Sequence, residues 1–280
     1  MIKYSFNGFT TNVAVSKFPG GEVKVDINNI SPVNFDAQLV VVKVSLKTSD
    51  DVIALLLTVD ALRRQFPNAK LSLRMPYIPY ARQDRVCNDG EAFSMRVFAG
   101  LINSCNFSEV VTIDAHSDVA PALINNCVNL PQSVIFRQTV EDFSDYFVVA
   151  PDAGAYKKAH KLAQSIRARG VICANKVRDV RTGQILETIV DADVTMRKLL
   201  VADDLCDGGK TFVELGKTLR DGFCDTLKLV VTHGLFTKGT EVLTDHYDFI
   251  YTTNSYHNEA VGNTDQNGVA NLKVRWINVI

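Results

Sequence analysis

The chain has 280 residues, 46% of them hydrophobic and 22% charged, and its 30 basic side chains nearly balance 31 acidic ones. This profile fits a folded protein of two domains, and its near-neutrality argues against nucleic acid or an anionic membrane as partner, since both select a basic surplus. The six cysteines show no CxxC or Cys/His ligand spacing, no apolar run is long enough to span a bilayer, and the opening MIKYSFNGFT lacks a secretory apolar core, so a cytoplasmic location is expected.

In chain order, AQLVVVKVS reads as a strand. DVIALLLTVDALRRQF follows with apolar residues at 52, 55, 56, 59 and 62, a helical period ended by Pro67. AKLSLRMP is a strand, AFSMRVFAGLINS a helix and EVVTIDAH a strand. A second series begins with the strand and turn YFVVAPDAG and the helix AYKKAHKLAQSIRARG, stopped by Gly170. GVICANK and RKLLVADD are strands, and VRDVRTGQILETIV between them reads as a turn at Thr182-Gly183 and a strand. KTFVELGKTLRDG puts Phe212, Leu215, Gly216 and Leu219 on one helical face and ends at Gly222, before the strands LKLVVTHG and DFIYTTN. Strand–helix alternation in both halves predicts two α/β units with mainly parallel sheets, one spanning 1–143 and the other 144–280. The last strand is expected to pack back on the N-terminal unit.

LLVADDLCDGGKT sets Asp203 and Asp204 at the carboxyl end of a parallel strand, where open α/β sheets bind ligands. The following glycines open a helix whose first amides are unpaired and whose dipole end is positive, a place suited to an anion. Carboxylates repel phosphate but accept hydrogen bonds from sugar hydroxyls or hold Mg²⁺ through water, so a sugar phosphate satisfies both halves of the loop. A plainer reading makes Asp207 an N-cap and the acid pair a solvated strand end. A Walker loop is rejected, because its first glycine would fall on Asp204.

Four further clusters stand near predicted strand ends. YIPYARQDR offers Arg82 to a phosphate or base and Gln83 to a base edge, with Asp84 and Arg85 adjacent. TIDAH places Asp114 and His116 two residues apart, on one side of an extended chain, where they could meet a metal-bound phosphate. APDAG ends a strand at Asp152, and ANKVR puts Lys176 and Arg178 in register to neutralise a transferring phosphoryl group.

Taken together these segments resemble the ribose-phosphate diphosphokinase (phosphoribosyl diphosphate, PRPP, synthetase) family. KFPGGEVKVDI is similar to its F-x-[DN]-x-E segment, PYARQD to its nucleotide motif, TIDAH to its D-x-H, APDAG to its SPDxG, VADDLCDGGKT to its ribose-phosphate loop, VTHGLFTKG to its THG motif and IYTTNS to its VVTNT. The resemblance implies two type I phosphoribosyltransferase-like α/β domains with the active site between them. It also implies Mg²⁺-dependent transfer of diphosphate from ATP to the 1-hydroxyl of ribose 5-phosphate.

Carried over position by position, Arg82, Gln83, Asp84 and His116 would meet ATP, with Phe18 and Glu22 reaching adenine from a neighbouring subunit of a homo-oligomer, a dimer or hexamer. Asp114, His116 and Asp152 would serve the metal. Asp152, Asp203, Asp204, Asp207, Gly208, Gly209, Lys210 and Thr211 would hold ribose 5-phosphate, and Lys176 and Arg178 would stabilise the transition state. The chain departs from the family at Gly20, where Asp or Asn is usual, at SDVAPALI after His116, and at Lys210, where glycine is usual. Two other readings share part of this pattern. A phosphoribosyltransferase consuming PRPP needs the 203–211 loop but not ARQDR, and a non-catalytic regulatory subunit has no need to retain the acidic and basic sets.

Overall fold

The computed structural model describes residues 1–27, 38–138, 141–178, 185–257 and 273–279. The chain divides into two compact units, 1–130 and 131–279. The sequence places the boundary at 143/144 instead. The reason for the difference is packing: Ile135 and Phe143 are buried in a core with Val148, Leu162 and Tyr251, so the segment ahead of the first strand of the second half belongs to that half.

The first unit opens with β1 (Ile2–Phe6), β2 (Phe9–Asn12) and the separate hairpin β3 (Ala14–Lys17)–β4 (Val23–Asp26). It continues through β5 (Leu39–Val44), α1 (Ser49–Gln65), β6 (Lys70–Arg74), α2 (Ser94–Ser104), β7 (Glu109–Ile113), α3 (Val119–Leu123) and β8 (Cys127–Leu130). The sheet order is β2-β1-β5-β6-β7-β8, with β5 to β8 parallel and β1 antiparallel to both β2 and β5. α1 starts at a capping box, in which Thr48 accepts from the Asp51 amide while Asp51 accepts from the Thr48 amide. Of its apolar period it buries Val52, Leu55, Val59 and Leu62 and leaves Leu56 half-buried.

The second unit runs β9 (Tyr146–Ala150), α4 (Tyr156–Ile166), β10 (Gly170–Arg178), β11 (Ile185–Val190), β12 (Lys198–Cys206), α5 (Lys210–Asp221), β13 (Thr226–Gly234), α6 (Glu241–Thr244), β14 (Phe249–Thr253) and β15 (Val274–Ile277). Its sheet is ordered β11-β10-β9-β12-β13-β14-β15 and is parallel from β10 to β15. β15 therefore completes the second sheet, where the sequence expectation packs the last strand on the N-terminal unit. α4 ends at Arg167 in the left-handed region, and Gly170, expected to stop that helix, instead begins β10. α5 buries Phe212, Leu215, Gly216 and Leu219, the four residues its period singles out. Gly216 is required there, because a Cβ would lie 2.9 Å from His246 Cβ. The turn expected at Thr182-Gly183 lies outside the described residues.

In this order the connection from β9 goes to one neighbour, β10, while β12 lies on its other side. The carboxyl ends of β9 and β12 thus flank a topological switch point, the position at which open α/β sheets leave a crevice for ligand.

Candidate ligand sites in the two units

β12 pairs with β9 only as far as Val201, whereas its pairing with β13 continues to Cys206. Asp203 and Asp204 consequently lie inside β12 rather than past its end, in the stretch where the β9 neighbour has stopped. The Asp203 carbonyl accepts from Gln132 Nε2 at 2.6 Å, and the same amide reaches Thr232 Oγ1 at 3.1 Å. Gln132 is buried, so a side chain about 70 residues away in sequence fixes this end of β12.

The two carboxylates differ in setting. Asp204 is 6% exposed, with Lys158 Nζ of α4 3.7 Å from its Oδ1, while its amide donates to Asp203 Oδ1 at 2.8 Å. Burial, the Asp204 carboxylate and, more weakly, Asp152 push the Asp203 carboxyl well above the usual carboxylate range. Asp152, two residues past β9, accepts the Ala155 amide at 3.1 Å on Oδ1 and so shapes the turn into α4.

The 207–211 turn is built by two loops. Gly209, not Asp207, precedes α5, at φ +78°. A Cβ there would be strained by that φ and would meet Leu243 Cδ2 at 3.3 Å. Asp207 instead takes the Thr237 hydroxyl at 2.8 Å and, on its carbonyl, the Thr237 amide at 3.1 Å. The Cys206 carbonyl accepts the amides of Leu235 and Phe236 at 2.8 and 3.2 Å. Gly234 allows that second loop to close, since a Cβ would fall 2.1 Å from Phe236 Cε2. The N-cap reading of Asp207 is thereby displaced, and the amino end of α5 carries no side-chain cap. Its orphan amides are available to an anion. Burial pushes the Cys206 thiol up to about 12, so it is a packing group and not a nucleophile.

Behind this turn His233 is 3% exposed, with Nδ1 2.8 Å from Ser255 Oγ, and Thr253 Oγ1 donates to the Thr232 carbonyl at 2.7 Å. These buried polar residues at the ends of β13 and β14 are bonded to one another, and they tie the VTHG and TTNS segments together.

In the first unit Arg82 and Gln83 are exposed after β6, with Gln83 Oε1 accepting from Ser94 Oγ of α2. Asp84 is 7% exposed and bonds Arg85 Nε at 2.9 Å. That guanidinium, helped by the Ser117 hydroxyl, holds the Asp84 carboxyl below its ordinary range. Asp84 therefore braces the segment that carries Arg82 and Gln83. Asp114 directly follows β7, is 5% exposed, and stands at φ +47° with its amide on the Leu130 carbonyl at 2.7 Å. Asp is one of the few side chains that accept this left-handed conformation. His116 is exposed and electrostatically close to Asp84. Phe18 and Glu22 bracket the tip of the β3–β4 hairpin, where the Phe18 amide donates to the Glu22 carbonyl at 2.9 Å and both side chains are exposed.

Lys176 and Arg178 lie on β10 beyond Cys173, where β10 has left β9 and pairs with antiparallel β11 alone. The register shifts between Val177 and Arg178, and both side chains lie outside the described residues. Among the described residues no three His, Cys, Asp or Glu side chains form a cluster able to hold a metal, and no helix is long and apolar enough to cross a membrane.

Residues 2–105 match the family profile of the N-terminal domain of ribose phosphate pyrophosphokinase. The ribose-phosphate pyrophosphokinase of Pyrococcus furiosus is 29% identical over 252 residues, covering 88% of this chain and 86% of the relative. That of Thermococcus kodakarensis is 30% identical over 230 residues, covering 81% and 79%. Among solved structures, phosphoribosylpyrophosphate synthetase from Mycobacterium smegmatis superposes with a TM-score of 0.77 at 23% identity, over 96% of this chain and 86% of that one, so the fold is shared. With an identity of 30% sustained over four-fifths of both sequences, the chain belongs to the ribose-phosphate pyrophosphokinase family.

Proposed function

We propose that the protein transfers the diphosphoryl group of ATP to the 1-hydroxyl of ribose 5-phosphate, giving PRPP and AMP. The observation that carries this reading is the Asp203–Asp204 pair beside an uncapped, glycine-opened helix at the switch point of the second sheet. Such an arrangement offers acceptors to ring hydroxyls and amides to a terminal phosphate within one loop. The first unit supplies the ATP groups: Arg82 and Gln83 for phosphate and base, braced by Asp84, with His116 beside them.

In the reaction the ribose 1-hydroxyl attacks the β-phosphorus. The bond from that phosphorus to the oxygen bridging the α-phosphate breaks, AMP leaves, and the hydroxyl proton is released. Asp203, Asp204 and Asp152 orient the pentose, and the 207–211 turn anchors its 5-phosphate, which converts a bimolecular encounter into a positioned one. Lys176 and Arg178 neutralise charge developing on the transferred group.

Carboxylates such as Asp114 in the first unit and Asp152 in the second are donors of the kind Mg²⁺ takes. It takes one or two carboxylates together with substrate phosphate oxygens rather than an all-protein cage, in keeping with single carboxylates at the ends of β7 and β9. Asp114, His116 and Asp152 would hold it. When bound, the cation lowers the charge on the polyphosphate. Phe18 and Glu22, exposed on their hairpin, would meet the adenine of a neighbouring subunit, which makes the working form a homo-oligomer, a dimer or hexamer. Six unpaired thiols suit the reducing cytoplasm.

Purified protein mixed with Mg²⁺, ATP and ribose 5-phosphate should release AMP and PRPP in equal amounts. Absence of AMP, or consumption of added PRPP with a nucleobase, would favour the silent-subunit or phosphoribosyltransferase reading.

A further inference from the structure

The turn expected to cup the 5-phosphate carries a heavy acidic load. Asp203, Asp204 and Asp207 all lie within five residues of Gly208. A phosphate dianion seated there needs compensating charge beyond a helix end, whose contribution is only about half an elementary charge. Lys210, the family departure that sequence reasoning assigns to this task, is 76% exposed and has Glu214 Oε1 3.8 Å from its Nζ, one turn along α5.

Another lysine is better placed. The second loop is tied to the first by the Thr237–Asp207 and Leu235/Phe236–Cys206 hydrogen bonds. This clamp brings the stem of Lys238 over the glycine turn, so that a Cβ on Gly208 would be 3.6 Å from both Cδ and Cε of Lys238. Among the described residues Lys238 makes no ion pair, and it is exposed. An unpaired ammonium on a flexible stem, packed along the backbone of an anion-binding turn, is arranged to close on a phosphate.

We propose that Lys238 is a specificity-determining contact for the 5-phosphate of the pentose, supplying the cation that this turn lacks. The inference rests on the reading of ribose 5-phosphate as substrate. It adds that recognition of the terminal phosphate is shared by two loops, and that the VTHGLFTKG segment acts through a side chain as well as through its backbone.

Calorimetric titration of the full chain with ribose 5-phosphate, and separately with ribose, tests this without needing turnover. Lys238→Ala should weaken ribose 5-phosphate binding about tenfold, as expected for loss of one charge-assisted hydrogen bond. It should leave ribose binding unmoved and flatten the salt dependence. Lys238→Arg should restore most of the affinity, and Lys217→Ala, an exposed lysine farther along α5, should change nothing. If the wild-type chain binds ribose 5-phosphate but Lys238→Ala binds it equally well, the inference fails and the functional reading stands. Equal losses in Lys238→Ala and Lys217→Ala would also overturn it, since net charge alone would then account for the effect. If the wild-type chain does not bind ribose 5-phosphate, both fall together.

Discussion

Replacing Asp203 by Asn should raise stability and lower substrate affinity together, a combination that separates a ligand site from a structural one. Asn keeps the acceptor that takes the Asp204 amide at 2.8 Å and nearly the same volume, so the substitution removes charge and little else. In the wild type the Asp203 carboxyl is raised by burial and by the Asp204 carboxylate. The folded state therefore binds this proton more tightly than the unfolded chain does.

A raised carboxyl pKa fixes the sign. Below the ordinary carboxylate range both states are protonated and there is no difference. As pH rises from that range through the folded value, the unfolded chain ionises freely while the folded chain resists, and stability falls. Two like charges a few ångströms apart repel by a few kcal/mol, about 4 kcal/mol at 4 Å for an effective dielectric near 20. With Lys158 Nζ 3.7 Å from Asp204, we take about 1–2 kcal/mol of relief in Asp203→Asn at neutral pH. That corresponds to a rise of roughly 2–8 °C in the melting midpoint of the second unit, at about 2–4 °C per kcal/mol for this size. Loss of one carboxyl oxygen as a partner for a ring hydroxyl should weaken ribose 5-phosphate binding by about 0.5–1.5 kcal/mol.

Scanning calorimetry from pH 4 to 8 reads the first effect and isothermal titration the second. The wild-type midpoint should fall, relative to the variant, as pH rises above the ordinary carboxylate range. A variant that is less stable at neutral pH, or one that binds ribose 5-phosphate as well as the wild type, would refute the reasoning.

Three other substitutions extend the account. Lys176→Ala should lower turnover at saturating substrates by roughly 10²-fold or more, as for removal of one preorganised donor, and near-normal turnover in a folded variant would remove Lys176 from catalysis. Lys158→Met leaves Asp204 without its α4 cation and should raise the KM for ribose 5-phosphate several-fold in steady-state assays. Lys158→Arg should restore it, and an unchanged KM in Lys158→Met would show that the pair is only structural. Gly216→Ala gains about 1 kcal/mol of helix propensity but drives a methyl to 2.9 Å from His246 Cβ and 3.1 Å from Tyr247 Cε2. Overpacking of about 1–3 kcal/mol should win and lower the melting midpoint, and a rise would contradict the packing argument.

Much of this was legible in the sequence because its signals are local. The period of α5 predicts its buried face residue for residue, and the acid pair followed by glycines marks the end of the β9/β12 crevice before any fold is known. What was not legible depends on residues distant in the chain. Nothing near Gln132 indicates that its amide will hold the Asp203 carbonyl, and nothing near Lys158 that it will face Asp204. Lys238 lies over Gly208 only because β12 and β13 are neighbours and their loops are tied. The N-terminal strands β1 to β4 are four or five residues each, too short for a periodic signal to stand out. Composition marks no linker between the halves, because the 3-10 turn at Gln132–Gln138 joins the second core through the buried Ile135. Gly170 looked like a helix stop, but Arg167 adopts the left-handed conformation instead, at φ 57°.

The central claim is tested most directly by a crystal structure of the protein grown with saturating ribose 5-phosphate. The account predicts density for the pentose with its hydroxyls on Asp203 and Asp204 and its phosphate on the amides of 208–211. Density for the sugar elsewhere, or a glycine turn left without phosphate at saturation, would contradict it.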